Sequence, residues 1–228
     1  MTVQHRSPTV ETTLKALGEK TVALVRIDSP PVNAGSVRVR SDLLDAFERL
    51  AGVDGLAGVV LVGSNGNFVA GSDMREFDAP PLAPHLPDVI ASVEALPVPV
   101  VAAIEGAALG GGFELALGCD ARIGAADAVV GLPEVTLGLV PGAGGTVRLP
   151  RLVGAANAIA LITSGRRVKA DEARALGMLD KVVETDVVAA AEHFIANGAS
   201  KRVLRAETMP EEPAEAIIEA ERAALQRA

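Results

Sequence analysis

The sequence feature that most constrains the fold is a short apolar segment that leads directly into a glycine-rich turn. Residues 99–104 carry no polar side chain, which is typical of a strand buried on both faces of a sheet. The turn at residues 106–112 contains four glycines, and a helix is predicted after it, over residues 113–117. A buried strand, a tight turn and a helix in succession predict an α/β domain.

The remainder of the chain repeats this alternation of apolar strands and amphipathic helices. Gly18 and Glu19 predict a hairpin turn, and Ser36 or Ser41 is expected to cap the helix predicted at residues 39–50. The pattern indicates a core over residues 1–183 and a C-terminal helical tail over residues 184–228. Strands are predicted at 21–27, 58–63, 122–125 and 129–130, an extended segment at 178–183, and helices at 39–50, 88–96, 146–152, 155–164, 170–176, 186–197 and 211–226.

Composition and charge restrict the classes of partner. The net charge of −8 and the absence of Trp and Tyr argue against nucleic-acid binding, which needs a basic surface and stacking side chains. No run of about 18 apolar residues is free of charge, so no membrane span is expected. One cysteine, Cys119, and an N-terminus without an apolar signal segment predict a cytoplasmic protein.

The glycine turn is a candidate anion site. Gly110, Gly111 and Gly112 allow a close approach of the backbone, and N–H groups at a helix N-terminus attract negative charge. Close packing of the helix on the strand explains the same glycines equally well. The segment 68–73, which includes Ser72, also follows a predicted strand. Alone it is a weak signal, but together with the glycine turn it could supply the second N–H donor of an oxyanion hole.

Two carboxylates lie in apolar surroundings in the sequence. Glu114 falls just inside the helix that follows the glycine turn, and Glu134 follows the strand at 129–130. Desolvation raises the pKa of a carboxyl group, and two like charges in one site move their pKa values apart, as acid/base catalysis requires. For either glutamate alone, a surface position or stabilisation of a helix N-terminus remains the simpler explanation.

Two other motifs are discounted. The run Gly142–Gly145 resembles part of a dinucleotide fingerprint, but no complete GxGxxG follows a strand. His5, His85 and His193 lie far apart without ligand-like spacing, so they are interpreted as surface residues and no metal site is predicted.

With these features in place, two long segments resemble the crotonase superfamily of enoyl-CoA hydratases and isomerases. Residues 99–123 resemble its signature, and residues 131–154 continue it in the family's order. Residues 31–34 and 68–73 are similar to earlier family segments. The resemblance runs from about residue 21 to residue 183, and it is greatest to the hydratase half of the bifunctional β-oxidation enzymes.

The resemblance implies a fold and a set of site residues. The fold is a spiral of ββα units, assembled as trimers or paired trimers, and no cofactor is implied because coenzyme A is part of the substrate. The backbone N–H groups of Ser72 and Gly111 form an oxyanion hole, and Glu114 and Glu134 are the catalytic pair. The implied contacts to the substrate and its coenzyme A moiety are Val32, Ala70, Gly71, Asp73, Met74, Arg75 and Gly110.

Both family glutamates are present, which favours hydration of a trans-2-enoyl-CoA to a 3-hydroxyacyl-CoA. Two alternatives remain open at this stage. One is a Δ3,Δ2-enoyl-CoA isomerase that uses the same oxyanion hole with Glu134 as the proton carrier. The other is a non-catalytic acyl-CoA-binding subunit, in which the helix at 211–226 docks a partner.

Overall fold

Two sheets carry the fold in the computed structural model, which describes residues 8–78 and 80–227. The larger has the strand order β1-β2-β3-β4-β6-β9, with all neighbours parallel except the β1–β2 hairpin. The smaller has the order β5-β7-β8. The strands are β1 (Val10–Leu17), β2 (Lys20–Ile27), β3 (Leu56–Gly63), β4 (Val100–Ile104), β5 (Ala107–Leu109), β6 (Ala121–Ala125), β7 (Val129–Gly131), β8 (Val168–Lys169) and β9 (Lys181–Val183).

The helices follow the strands in alternation. The side chain of Ser36 accepts a hydrogen bond from the Val39 N–H, so Ser36 rather than Ser41 caps the first helix. No helix among the described residues is long and apolar enough to cross a membrane. The helices are α1 (Val37–Leu50), α2 (Leu86–Ala95), α3 (Gly111–Gly118), α4 (Gly145–Val153), α5 (Ala155–Ser164), α6 (Ala170–Ala175), α7 (Val187–Ala196) and α8 (Ala214–Leu225), with 3-10 turns at Met74–Glu76, Glu134–Leu137 and Leu204–Ala206.

The predicted α/β class is confirmed, and each predicted helix is present with ends within three residues of the expected ones. Three strands escape prediction. Strand β1 is an exposed edge strand in which half of the residues are polar, whereas β5 and β8 have only three and two residues. The extended segment predicted at 178–183 is a strand only from Lys181, because the N–H groups of Met178 and Leu179 bond to the Ala173 carbonyl at the end of α6.

Alternate residues of the central strands bury opposite faces of the six-stranded sheet. Val59 and Leu61 of β3 face the larger core, which contains the buried sides of α1, α2 and α3. Val60 and Val62 face a second core that Ala191 of α7 helps to close. Helix α7 therefore covers the second face of the sheet, while α8 packs against α5. The division between residues 183 and 184 stays a prediction.

A buried arginine links the start of β6 to the segment before β9. Arg122 is fully buried, and its guanidinium donates to Asp180 Oδ2 (2.6 Å) and to the carbonyl oxygens of Cys119 and Met178 (both 3.1 Å). Burial of a charge is costly unless every donor is satisfied, and here the fold supplies the acceptors. The arrangement fixes the edge of the sheet that adjoins α6.

We expect Arg122→Leu to destabilise the protein by about 3 kcal/mol or more, because it removes the guanidinium from Asp180 and from two buried carbonyl groups. Urea unfolding of the variant and the wild type measures the change. Arg166→Leu is the control, since the Arg166–Glu172 pair is about half exposed and should contribute less than about 1 kcal/mol. Equal losses in the two variants would contradict this account of Arg122.

Candidate active site

Segment 68–72 runs between two other segments, 32–35 and 107–111, and this contact assembles the site. Parallel bridges pair Gly35 with Ser72 and Val69 with Ala108. The structure therefore brings together Val32, Ala70 and Gly71, which the sequence placed in two separate motifs. The supporting bonds run from Ala70 N–H to the Val32 carbonyl (3.2 Å), from Gly35 N–H to the Gly71 carbonyl (2.8 Å) and from Leu109 N–H to the Val69 carbonyl (3.1 Å).

The two residues predicted to supply N–H donors, Ser72 and Gly111, lie close together. A Cβ on Gly112 would lie 2.0 Å from the Val69 carbonyl oxygen, so only glycine allows α3 to come this close to segment 68–72. A Cβ on Gly111 would lie 2.9 Å from Ser72 Oγ. Gly111 is the first residue of α3, where the N–H has no partner within the helix. In the bridge between Gly35 and Ser72, the Gly35 N–H donates to the Gly71 carbonyl oxygen, and this bond does not involve the Ser72 N–H.

A cavity of about 460 Å³ opens beside these donors. Ser72 and Gly111 are part of its wall, whereas neither Glu114 nor Glu134 is. Most of the remaining wall is apolar, which suits a hydrocarbon chain. The apolar side chains of the wall are Val39, Leu43, Val69, Phe77, Pro81, Leu86, Leu115 and Leu139.

A charged side chain holds the outer wall of this cavity together. Arg40 of α1 forms an ion pair with Glu76 (2.9 Å). Its other donors reach the carbonyl oxygens of Gly35 (2.8 Å), Leu82 (3.1 Å) and Pro84 (2.8 Å). Arg40 therefore ties the proline-rich loop before α2 to the segment that pairs with Ser72.

Glu114 lies one helical turn beyond Gly111 and is buried, with 3% of its surface exposed. Its Oε1 accepts hydrogen bonds from the Ala143 N–H (2.7 Å) and the Gly145 N–H (2.8 Å). Burial raises the pKa of Glu114 above its ordinary value, against the lowering effects of these two donors and of the Arg148 charge. These two bonds fix Oε1, whereas Oε2 takes part in neither.

Glu134 begins a 3-10 turn, and its carboxyl group lies over Gly110. Its Oε1 lies 3.4 Å from the position that a Cβ on Gly110 would take. Its Oε2 is enclosed and has no hydrogen-bond partner among residues 8–78 and 80–227. Burial raises the pKa of Glu134 to about 7; a bond from its own backbone N–H opposes the rise and the charge of Glu114 adds to it.

The two glutamates therefore have different environments within one site. Two N–H donors and a nearby guanidinium favour the charged form of Glu114. The carboxyl group of Glu134 has an unsatisfied oxygen and a like charge nearby, which favour its neutral form. A base and an acid can thus coexist beside the two N–H groups near neutral pH.

Of the predicted contacts that follow Ser72, one is buried and two are exposed. Asp73 is buried, and both its oxygens accept from the Arg75 guanidinium (2.9 and 2.7 Å), which lowers the pKa of the Asp73 carboxyl group. The side chains of Arg75 and Met74 are mostly exposed. An anion that approaches Arg75 therefore competes with Asp73 for the guanidinium.

Several residues of the site were not recognised in the sequence. The run Gly142–Gly145 was discounted as a nucleotide motif, yet its backbone holds Glu114. The signals in the sequence are the proximity of this run to Glu134 and its place within residues 131–154, which resemble the family. His85 and His193 are exposed, and His5 lies outside the described residues. Over the described ranges, no cluster of three His, Cys, Asp or Glu side chains could hold a metal ion.

Comparisons with known proteins agree with this architecture. The peroxisomal bifunctional enzyme of Homo sapiens is 50% identical over 174 residues, which are 76% of this chain and 24% of that enzyme. The chain thus spans about a quarter of the length of the bifunctional enzymes that it matches. A probable enoyl-CoA hydratase of Bacillus subtilis (strain 168) is 42% identical over 165 residues, 69% of this chain and 64% of that protein.

A solved structure confirms the predicted spiral fold. The crystal structure of enoyl-CoA hydratase from Thermoplasma volcanium GSS1 superposes with a TM-score of 0.76 at 29% identity and covers 99% of this chain and 94% of that one. The family model described as enoyl-CoA hydratase/isomerase matches residues 18–216. The chain therefore belongs to the enoyl-CoA hydratase/isomerase family, the crotonase superfamily that its sequence resembles.

Proposed function

We propose that the protein is an enoyl-CoA hydratase, which adds water to a trans-2-enoyl-CoA and forms a 3-hydroxyacyl-CoA in fatty acid β-oxidation or related acyl-CoA catabolism. The observation that supports this most directly is the pair of glutamates with opposite electrostatic surroundings, close to the two residues that would supply the N–H donors. An acid and a base on one side of a conjugated thioester are what addition of water requires.

In the proposed mechanism, the N–H groups of Ser72 and Gly111 bind the thioester oxygen. Negative charge develops on this oxygen when water attacks C3, and preorganised donors stabilise that charge. Loss of one such donor in other enzymes costs about 3–4 kcal/mol of transition-state stabilisation. The apolar cavity beside the donors would take the acyl chain.

The two glutamates would then divide the proton transfers. Ionised Glu114 orients a water molecule and accepts its proton as the oxygen bonds to C3. Neutral Glu134 delivers a proton to C2, so that the double bond becomes saturated. Exchange of protons with solvent returns both groups to their starting forms. Each well-placed acid or base contributes roughly 10²–10⁴-fold to such a reaction.

The coenzyme A moiety, by the same proposal, lies along the segment that carries Ser72. Its contacts would include Val32, Ala70, Gly71, Asp73, Met74, Arg75 and Gly110, with Arg75 as the phosphate contact. No separate cofactor is part of the proposal, since coenzyme A arrives with the substrate. We also propose a homo-oligomer, a trimer or pair of trimers, in the cytoplasm, where a reduced and buried Cys119 is expected.

We expect Glu114→Gln and Glu134→Gln each to lower the rate of hydration by roughly 10²–10⁴-fold, because each removes one proton transfer and keeps the side-chain shape. The measurement is the loss of enone absorbance when trans-2-enoyl-CoA of several chain lengths is added to the purified protein.

Glu105→Gln is the matched control, since Glu105 lies before the glycine turn and takes no part in the proposed chemistry. No absorbance loss with the wild type at any chain length would contradict the hydratase proposal. A 3-enoyl-CoA then tests for the isomerase. Inactivity with both substrates, together with measurable acyl-CoA binding, would indicate the non-catalytic subunit.

The value of kcat/KM should depend on pH in a bell-shaped manner. Glu114 must be ionised, so the rate falls at low pH; Glu134 must be protonated, so the rate falls by about tenfold per pH unit above an apparent pKa of about 7. Initial rates from pH 5 to pH 9 measure the profile. An alkaline limb that persists unchanged in the residual activity of Glu134→Gln would show that another group is responsible for it.

We expect Arg40→Ala to broaden the range of acyl chains accepted, because it releases the loop that forms the outer wall of the cavity. The ratio of kcat/KM for a long and a short trans-2-enoyl-CoA should rise relative to the wild type. Arg49→Ala in the last turn of the same helix is the control. An unchanged chain-length ratio in Arg40→Ala would contradict the role given to this side chain.

A further inference from the structure

We propose that Arg148 is a positioning residue, which fixes the loop that holds the Glu114 carboxylate and favours the charged form of that carboxylate. The inference rests on the proposed function, in which Glu114 is the base. Arg148 does not contact the substrate region directly; it acts through the backbone of residues 143–145 and through its charge.

Both hydrogen bonds to Glu114 come from one short loop. The donors, Ala143 and Gly145, are separated by a single residue and converge on the same carboxylate oxygen. The position of that oxygen therefore depends on the conformation of this loop. A small shift of the loop would lengthen both bonds together.

Arg148 holds this loop from inside the protein. Arg148 is 6% exposed, and its Nη1 donates to the Ala143 carbonyl oxygen (3.1 Å). A Cβ on Gly144 would lie 2.0 Å from the same nitrogen, so the guanidinium lies directly against the loop backbone. Residue 143 thus accepts from Arg148 through its carbonyl group and donates to Glu114 through its N–H.

A second carboxylate fixes the guanidinium itself. Glu94 of α2 is buried, and its Oε1 accepts from Nε (3.0 Å) and Nη2 (2.8 Å) of Arg148. Its Oε2 accepts from Nε of Arg205 (2.5 Å), in the 3-10 turn at 204–206. Both oxygens of Glu94 and all three guanidinium nitrogens of Arg148 have partners, which a buried ion pair requires.

The charges around Glu114 come from several elements. The charge of Arg148 on α4 lowers the pKa of Glu114, and Glu134 on its 3-10 turn is the negative group that interacts with it. Glu94 on α2 forms ion pairs with both Arg148 and Arg205. The three residues together carry a net charge of +1. This positive charge offsets part of the cost of a buried, ionised Glu114.

The test is the titration of the Glu114 carboxyl carbon by ¹³C NMR, assigned with Glu114→Gln, in the wild type, Arg148→Met, Arg148→Lys and Glu94→Gln. We expect Arg148→Met to raise the pKa of Glu114, because the positive charge that favours its ionised form is lost. Glu94→Gln should lower it, because Arg148 then lacks its counter-ion. Arg148→Lys should restore most of the wild-type value.

The pH profile of kcat/KM gives the second reading. The acid limb in Arg148→Met should move to higher pH by the same amount as the NMR titration, so that the rate falls most at the acid end of the profile. Arg151→Met is the matched control on the same helix: its side chain bonds to the Glu207 and Val147 carbonyl groups and not to the 143–145 loop. It should leave both readings unchanged.

A purely structural role for Arg148 would lower stability without moving the titration of Glu114. An unchanged Glu114 titration in both Arg148→Met and Glu94→Gln would therefore overturn the inference, even in an active enzyme. If Arg148→Met fails to fold, the other two variants test the inference. The pKa of Glu114 should then be lower in Glu94→Gln and close to the wild-type value in Arg148→Lys. Titration shifts in a protein without hydratase activity would instead refute the proposed function and leave the charge effect of Arg148 established.

Discussion

The structure of the site depends on the close approach of segment 68–72 to the beginning of α3. Gly112 permits it, since any larger residue would meet the Val69 carbonyl oxygen. The approach places Ser72 beside Gly111 and opens the apolar cavity next to both. It also sets Glu114, one turn further along α3, at a fixed distance from these N–H groups. Every step of the proposed hydration uses this one contact between a loop and a helix.

The two glutamates of the site show how a fold differentiates identical side chains. Glu114 faces the N–H groups before α4 and a guanidinium, which together oppose the effect of burial. Glu134 keeps an oxygen without a partner and feels the charge of Glu114. Desolvation alone would make both groups acids. The difference in hydrogen bonds and charge is what allows one to serve as a base in the proposed mechanism.

Part of this arrangement was predictable from local patterns. The strand ending at Ile104 was recognisable from its unbroken apolar run, and Glu114 from its place in the first turn of the next helix. The same reasoning could not find Arg148, because its partner Glu94 lies 54 residues away in the sequence. It set aside the glycine run at 142–145 as a nucleotide motif but could not show that its N–H groups hold the side chain of Glu114.

The sequence by itself determined the alternation of strands and helices, the α/β class and the resemblance to the crotonase superfamily. Hydrophobic periodicity and glycine turns act over a few residues, so they can be read without coordinates. Only the tertiary structure decided which N–H groups face Glu114, which oxygen of Glu134 lacks a partner and which charges surround them. Desolvation and Coulomb interactions depend on distances between segments far apart in the chain, and folding alone sets those distances.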